Sequence, residues 1–215
     1  MINKTDIRNK LQSSDYYNRY HLRYFLQLEG ELENIGRYID LDKKNFRTFS
    51  FEILKLYQAI CSEIDVIAKI GAYLTNNSFK YDERNVNIQK WWYQIQNEHL
   101  LSNPSIRLQD LEVEFNGDII FIPFKKFEYK LSDKGKIKLK DNARTPKWWV
   151  SYNKVKHGRS FFILDSKVTN YSLANLKNLL TSFSALFVLM LLYEDKIKYE
   201  EKLSIRKNNK FFEIL

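Results

Sequence analysis

Between Phe46 and Leu74 the residues Ile53, Leu56, Tyr57, Ile60, Ile64, Ile67 and Ile70 recur every three or four positions. A strand would need every second residue on one face. A helix of 3.6 residues per turn gathers this set onto a single stripe. Leu54, Cys61 and Ala68 widen the stripe, so the helix is expected to be covered on two sides, with Ser50 or Thr48 capping its start. Glu63, Asp65 and Lys69 fall between the apolar positions and read as a solvated face.

A chain that must enclose such a helix is driven toward a helical architecture, and its punctuation agrees. Six glycines and three prolines in 215 residues encode few sharp turns. Asp15 to Tyr38 reads as helix through Leu22, Phe25, Leu26, Leu28, Leu32 and Ile35, although Gly30 and Gly36 weaken it by about 1 kcal/mol each. Asn85 to Leu101 reads as another, carrying Trp91, Trp92 and Ile95 and ending before Pro104. Helix returns at Pro146, which suits a first helical position, and runs to His157, with Gly158 as the residue just past its end. Ser172 is expected to cap a last long helix containing Leu173, Leu176, Leu180, Phe183, Phe187 and Met190.

One stretch breaks the pattern. Leu111, Val113 and Phe115 alternate with acidic residues, Asn116-Gly117 follows, and Ile119 to Ile122 are apolar before Pro123. Asn-Gly between two such runs is a hairpin signal. The lysine-rich Asp133 to Asn142 reads as a surface loop or a short extra strand. The expected fold class is therefore mainly α: a single domain over residues 1–215, an antiparallel helical bundle with a small β-hairpin insertion at about 111–142.

Cys61 is the one cysteine, which excludes a disulfide within the chain and any cysteine-based metal site; among apolar neighbours it reads as a core residue. MINKTDIRNK lacks an apolar segment of a secretory signal, and the apolar run Phe183 to Tyr193 is about half of the ~20 residues that span a bilayer. A soluble, cytoplasmic protein with no membrane partner is the expectation. The same run exceeds what one helix face needs inside a monomer and points to a homodimer formed partly through the last two long helices. A net charge of +9 suits a polyanionic partner, usually nucleic acid, although a lysine-rich composition alone gives the same balance.

Phosphate-binding glycine loops, a G-x-S-x-G elbow and histidine pairs one helical turn apart are all absent from the sequence. Of the three histidines, His21, His99 and His157, the last has the most suggestive surroundings: PKWWVSYNKVKHGR. Asn153 and His157 share a helix face, with Trp149 one turn further back, and Tyr152 lies on an adjacent face with Trp148 and Lys156. Lys154, Lys156 and Arg159 add positive charge. A titratable imidazole, an amide to orient it and nearby cations suit acid–base chemistry on a phosphodiester. The competing reading is structural: tryptophan pairs usually pack in cores, and a histidine or lysine at a helix C-terminus often serves only the helix dipole.

The string Tyr152-Asn153-Lys154-Val155-Lys156-His157 resembles the signature of the HEPN superfamily: an arginine, a polar residue that is often asparagine, about three further residues, then histidine. Asn153 and His157 match, and Tyr152 stands in the place of the arginine. The helix order is similar over Phe46–Leu74 and Pro146–Tyr193. The resemblance implies a metal-independent endoribonuclease of a phage-defence, abortive-infection or toxin–antitoxin system. It implies no cofactor, RNA as substrate, a homodimeric state and an antitoxin or other defence-system protein as partner. In the mechanism it implies, the RNA's own 2′-hydroxyl is the nucleophile and His157 the acid or base. Asn153 orients the phosphate or the imidazole, and Arg159 or Lys156 replaces the motif arginine. Lys154, Lys156, Tyr152 and Trp149 would contact the RNA. A non-catalytic HEPN-like module that binds RNA or protein is the alternative under the same resemblance.

Overall fold

The isoleucine-rich periodicity becomes α4 (Phe51–Thr75), the axis of the molecule. Ser50 caps it, its Oγ accepting from the Ile53 N–H at 3.2 Å. The computed structural model describes residues 4–76, 78–79, 87–109, 119–164, 166–197 and 204–215. The helix starts five residues later than the periodicity suggests, because Phe46 and Thr48 turn their carbonyls to the N–H groups of Lys177 and Leu176.

Those bonds align α4 with α7 (Leu176–Asp195). At the far end Leu192 and Ile95 lie against Gly71. α4 and α7 therefore run parallel, side by side. Asn175, not Ser172, caps α7, accepting from the Asn178 N–H at 3.1 Å; Ser172 sits in a preceding 3-10 turn, Asn170–Leu173. By length and composition α7 could cross a membrane, yet it is the innermost helix. Every residue from Ser182 to Glu194 is buried within one chain. The apolar run expected to cover a dimer interface is thus already covered by its own protomer.

The amino-terminal layer consists of α1 (Lys4–Leu11), α2 (Ser14–Tyr17), a π-helical turn at Asn18–Leu22 and α3 (Arg23–Gly36). It runs antiparallel to α4: the Arg8 guanidinium donates to the Leu74 carbonyl at 2.6 Å, and Glu31 approaches Lys55 at 3.8 Å. The expected single helix from Asp15 is therefore nearly continuous but carries the π turn. α5 (Ile88–Ile95) is capped by Asn87 and runs with α4, the Trp91 indole donating to Asp65 at 2.9 Å. It is shorter than expected, and His99–Leu101 form a separate 3-10 turn. The expectation of antiparallel packing thus holds for α1–α3 against α4 and fails for α5 and α7.

Two small antiparallel sheets sit beside the helices. One has the order β2 (Ile120–Phe121), β1 (Ile106–Leu108), β5 (Phe212–Ile214), with Ile106 opposite both Phe121 and Ile214. The expected hairpin turn at Asn116-Gly117 and its first strand, Leu111 to Phe115, lie outside the described residues. Within them, the second strand pairs with β1. The other sheet is a hairpin of β3 (Tyr129–Leu131) and β4 (Ile137–Leu139), turned by Gly135 at φ +69°. β4 is the short extra strand that the lysine-rich stretch Asp133 to Asn142 allowed as the alternative to a loop. α5 holds it: the Trp92 indole donates to the Phe127 carbonyl at 2.6 Å, and Gln96 bonds both backbone groups of Tyr129.

Beyond α7 come α8 (Ile205–Asn208) and β5, docked on α3. Buried Glu29 accepts from the Lys210 N–H at 3.1 Å, and the Lys210 ammonium pairs with Glu33 at 2.8 Å. Burial pushes the Glu29 carboxyl up to about 7, against the opposing pull of the Lys210 and Phe211 N–H groups.

Glu63, Asp65 and Lys69 are not a plain solvated face. All three are half-buried; Asp65 also pairs with Lys69, and Glu63 faces His21. The exposed stripe of α4 runs instead through Glu52, Lys55, Ser62 and Val66, and polar groups off that stripe are bonded to neighbours. Cys61 is in the core as expected, and burial pushes its thiol up.

Candidate functional site

The segment with the most suggestive surroundings becomes α6 (Lys147–Gly158), with Pro146 as its N-cap residue just outside it. Trp148, Trp149, Tyr152 and Val155 are buried at positions i, i+1, i+4 and i+7. The Trp148 indole donates to the Pro123 carbonyl at 2.8 Å, and the Tyr57 hydroxyl donates to the Trp148 carbonyl. Trp149 stands edge-on to Trp91, and Tyr152 packs beside Trp149 and Tyr57. Burial, with Cys61 and Asp65 nearby, pushes the Tyr152 phenol above its ordinary range. Trp149 and Tyr152, expected to contact substrate, thus have their rings engaged in the core.

That anchoring leaves the rest of the set outside the core, at the C-terminal end of α6. Lys154, Lys156, His157 and Arg159 are exposed, and Asn153 is half-buried. The Asn153 amide Nδ2 donates to the Trp149 carbonyl at 3.0 Å, which fixes its orientation on the helix. The Lys156 ammonium lies 5.6 Å from the Tyr152 ring centroid. Among the described residues His157 has no hydrogen-bond partner.

The end of α6 is finished by groups that sequence reasoning did not single out. The buried Asn170 amide donates to the Gly158 carbonyl at 2.9 Å, and the Tyr171 N–H donates to the Arg159 carbonyl at 3.0 Å. The role of helix terminator, which the structural reading gave to His157, is thus filled by Asn170 and Tyr171. Gly158 is the last helical residue rather than a left-handed one beyond it; Arg159 is also helical, at φ −50°. Glycine is needed there for a different reason. A Cβ on residue 158 would lie 2.6 Å from Cδ2 of Phe161, whose ring rests on that bare backbone.

From Phe161 the chain makes a tight reversal, with Phe162 bridged to Thr169 and the Ile163 N–H donating to Val168. It returns to Tyr171, which stacks on Phe51 at 5.1 Å and meets Phe49 edge-on. The end of α6 and the beginnings of α4 and α7 therefore share one pole of the molecule.

The buried histidine is used quite differently. His21, in the π turn, has Nδ1 2.9 Å from the Glu63 carboxylate, between the rings of Tyr16 and Tyr193. Its Nε2 is buried, with no partner among the described residues. Residues 42 positions apart and sharing no motif gave no sign of this pair in the sequence. Among the described residues, no three His, Cys, Asp or Glu side chains gather as metal ligands would.

No protein-family model, no curated protein and no solved structure matches this chain.

Proposed function

We propose that the protein is a metal-independent endoribonuclease of HEPN type, serving phage defence or a toxin system, with His157 as its proton-transfer residue. One observation carries this reading. An exposed imidazole stands at the end of a helix whose other face is locked into the core, flanked by exposed Lys154, Lys156 and Arg159. Rigid placement together with local positive charge is what phosphodiester chemistry needs.

The reaction removes the proton of an RNA 2′-hydroxyl while that oxygen attacks the adjacent phosphorus. The bond to the 5′-oxygen breaks, leaving a 2′,3′-cyclic phosphate, and the departing 5′-oxygen takes up a proton. His157 serves as the base or the acid, and Asn153 orients the phosphate. Arg159 or Lys156 supplies the cation that the motif position cannot, since Tyr152 there is buried. A homodimer, and an antitoxin or other defence protein as partner, belong to the same proposal.

Burial of Tyr152 also supports a second reading, a non-catalytic module that binds RNA. The test is a folded His157→Ala protein assayed on single-stranded RNA beside the parent. Cleavage by the parent alone supports the nuclease. Equal cleavage by both removes His157 from the mechanism, and cleavage by neither leaves the binding module.

A further inference from the structure

The pole beside His157 carries an aromatic surface that the proposed reaction does not use. Phe161 is 70%, Phe162 68% and Leu164 88% exposed, and Phe51 at the start of α4 is 71% exposed. Together with Phe49, Val168 and the half-buried Tyr171 they surround the end of α6. Apolar groups presented this openly mark a binding surface.

The rings are held in place. Phe161 lies on Gly158, Phe51 is stacked by Tyr171, and Tyr171 is tied to Arg159 by its backbone. Cations are interleaved with them. Lys156 and Arg159 precede Phe161, Lys167 sits on the returning segment, and Arg47 lies two residues before Phe49; all are exposed. The carboxylates nearby among the described residues are already engaged: Glu52 faces Lys55, and Asp42 accepts from the Lys44 N–H. The centre of a protein interface is depleted in lysine. Exposed aromatic planes among cations are instead what unpaired bases and their phosphates require.

From this we infer that the surface formed by Phe161, Phe162, Phe51 and Tyr171 is a stacking platform for single-stranded nucleic acid. Bases rest on the rings while Arg159, Lys156 and Lys167 hold the phosphates. The inference rests on the nucleic-acid reading of this pole and makes unpaired RNA the ligand class. A base-paired helix cannot present the faces of its bases to the rings.

The probe is a fluorescein-labelled 2′-O-methyl RNA dodecamer, which lacks the 2′-hydroxyl nucleophile, so binding is measured apart from cleavage. The single strand should bind at least about tenfold more tightly than its blunt duplex. Phe161→Ala/Phe162→Ala should weaken single-strand binding about tenfold or more, as loss of base stacking does. The slope of log Kd against log salt should not change for that variant. Arg159→Ala should reduce the slope by about 0.7 of a unit. Gly158→Ala keeps every ring but displaces Phe161; it should weaken binding severalfold while the melting temperature holds or rises. Because the two phenylalanines are exposed, a melting curve like the parent's will verify their alanine variants. Parent-like binding by the phenylalanine variant, equal affinity for duplex, or no binding by the parent would each overturn the platform. So would loss of self-association alone in that variant, which would make the surface a protein contact. Phenylalanine-dependent binding without cleavage of unmodified RNA sustains the platform and defeats the nuclease. His157-dependent cleavage that ignores Phe161 and Phe162 does the reverse.

Discussion

The surroundings of His21 and of His157 put one side chain to opposite uses. His21 is enclosed, its Nδ1 on Glu63, in a π turn between tyrosine rings. His157 is open to solvent at the end of a rigid helix, and the carbonyls beside it are bonded by Asn170 and Tyr171. Removing the first takes away a buried partner, whereas removing the second disturbs no bond among the described residues. A histidine's role thus depends on whether its neighbours already satisfy it.

Substitutions at the two sites should therefore fail in different assays. The largest effect is expected from His157→Ala: RNA cleavage falls about 10²–10⁴-fold, as loss of a general acid or base does, with an unchanged urea midpoint. A stability loss at that site would blur the contrast. His21→Ala should instead cost on the order of 3 kcal/mol in urea denaturation, since Glu63 is left nearly buried and unpartnered, while RNA affinity is unchanged. Lost cleavage without lost stability would move His21 into the functional class.

Glu29 extends the buried side of the comparison to pH. Its folded-state pKa, about 7, lies above the ordinary carboxylate range, so the folded protein holds a proton that the unfolded chain releases. The resulting stability is complete below the ordinary range and is lost as pH rises through about 7. Glu29→Gln should remove that loss and raise stability at pH 8 by on the order of 2 kcal/mol, with little change at pH 5. Melting curves at the two values decide it; a variant less stable at pH 8 would show that the charged form is the one the fold prefers.

Asn170→Ala should cost about 1 kcal/mol by freeing the Gly158 carbonyl, and should reduce RNA cleavage as the end of α6 loosens. Intact cleavage would mean that His157 does not need a fixed helix end. The smallest effect is expected from Lys55→Ala, since its pairs with Glu52 and Glu31 lie at the surface. The denaturation curve should superpose on the parent's.

The long helices were legible because each repeats one local rule: Ile53 through Ile70 fix α4 whatever surrounds them. The sheets were not, because β1 takes a partner in β5 from the far end of the sequence, and three-residue strands carry no period of their own. The cluster of cations at the end of α6 was legible as local composition, three positive charges within six residues. Its buried half was harder: Trp149 and Tyr152 looked equally suited to stacking on a substrate, and only the approach of Trp91 and Tyr57 shows their faces to be covered. Phe161 and Phe162 were not singled out at all. An apolar run reads as core, and no local signal tells that the chain reverses there and leaves both rings outside.

The parallel pairing of α4 with α7 has a consequence for synthesis. α4 leaves the ribosome long before the helix that covers it. At ~5–20 residues per second, translation of the intervening segment takes on the order of ten seconds. Over that interval the stripe from Ile53 to Leu74 has only the amino-terminal layer and, as they emerge, α5 and α6 to shelter it. The nascent chain is then a natural client for holding chaperones, and a ribosome stalled before Leu176 would release a sticky fragment rather than a folded intermediate.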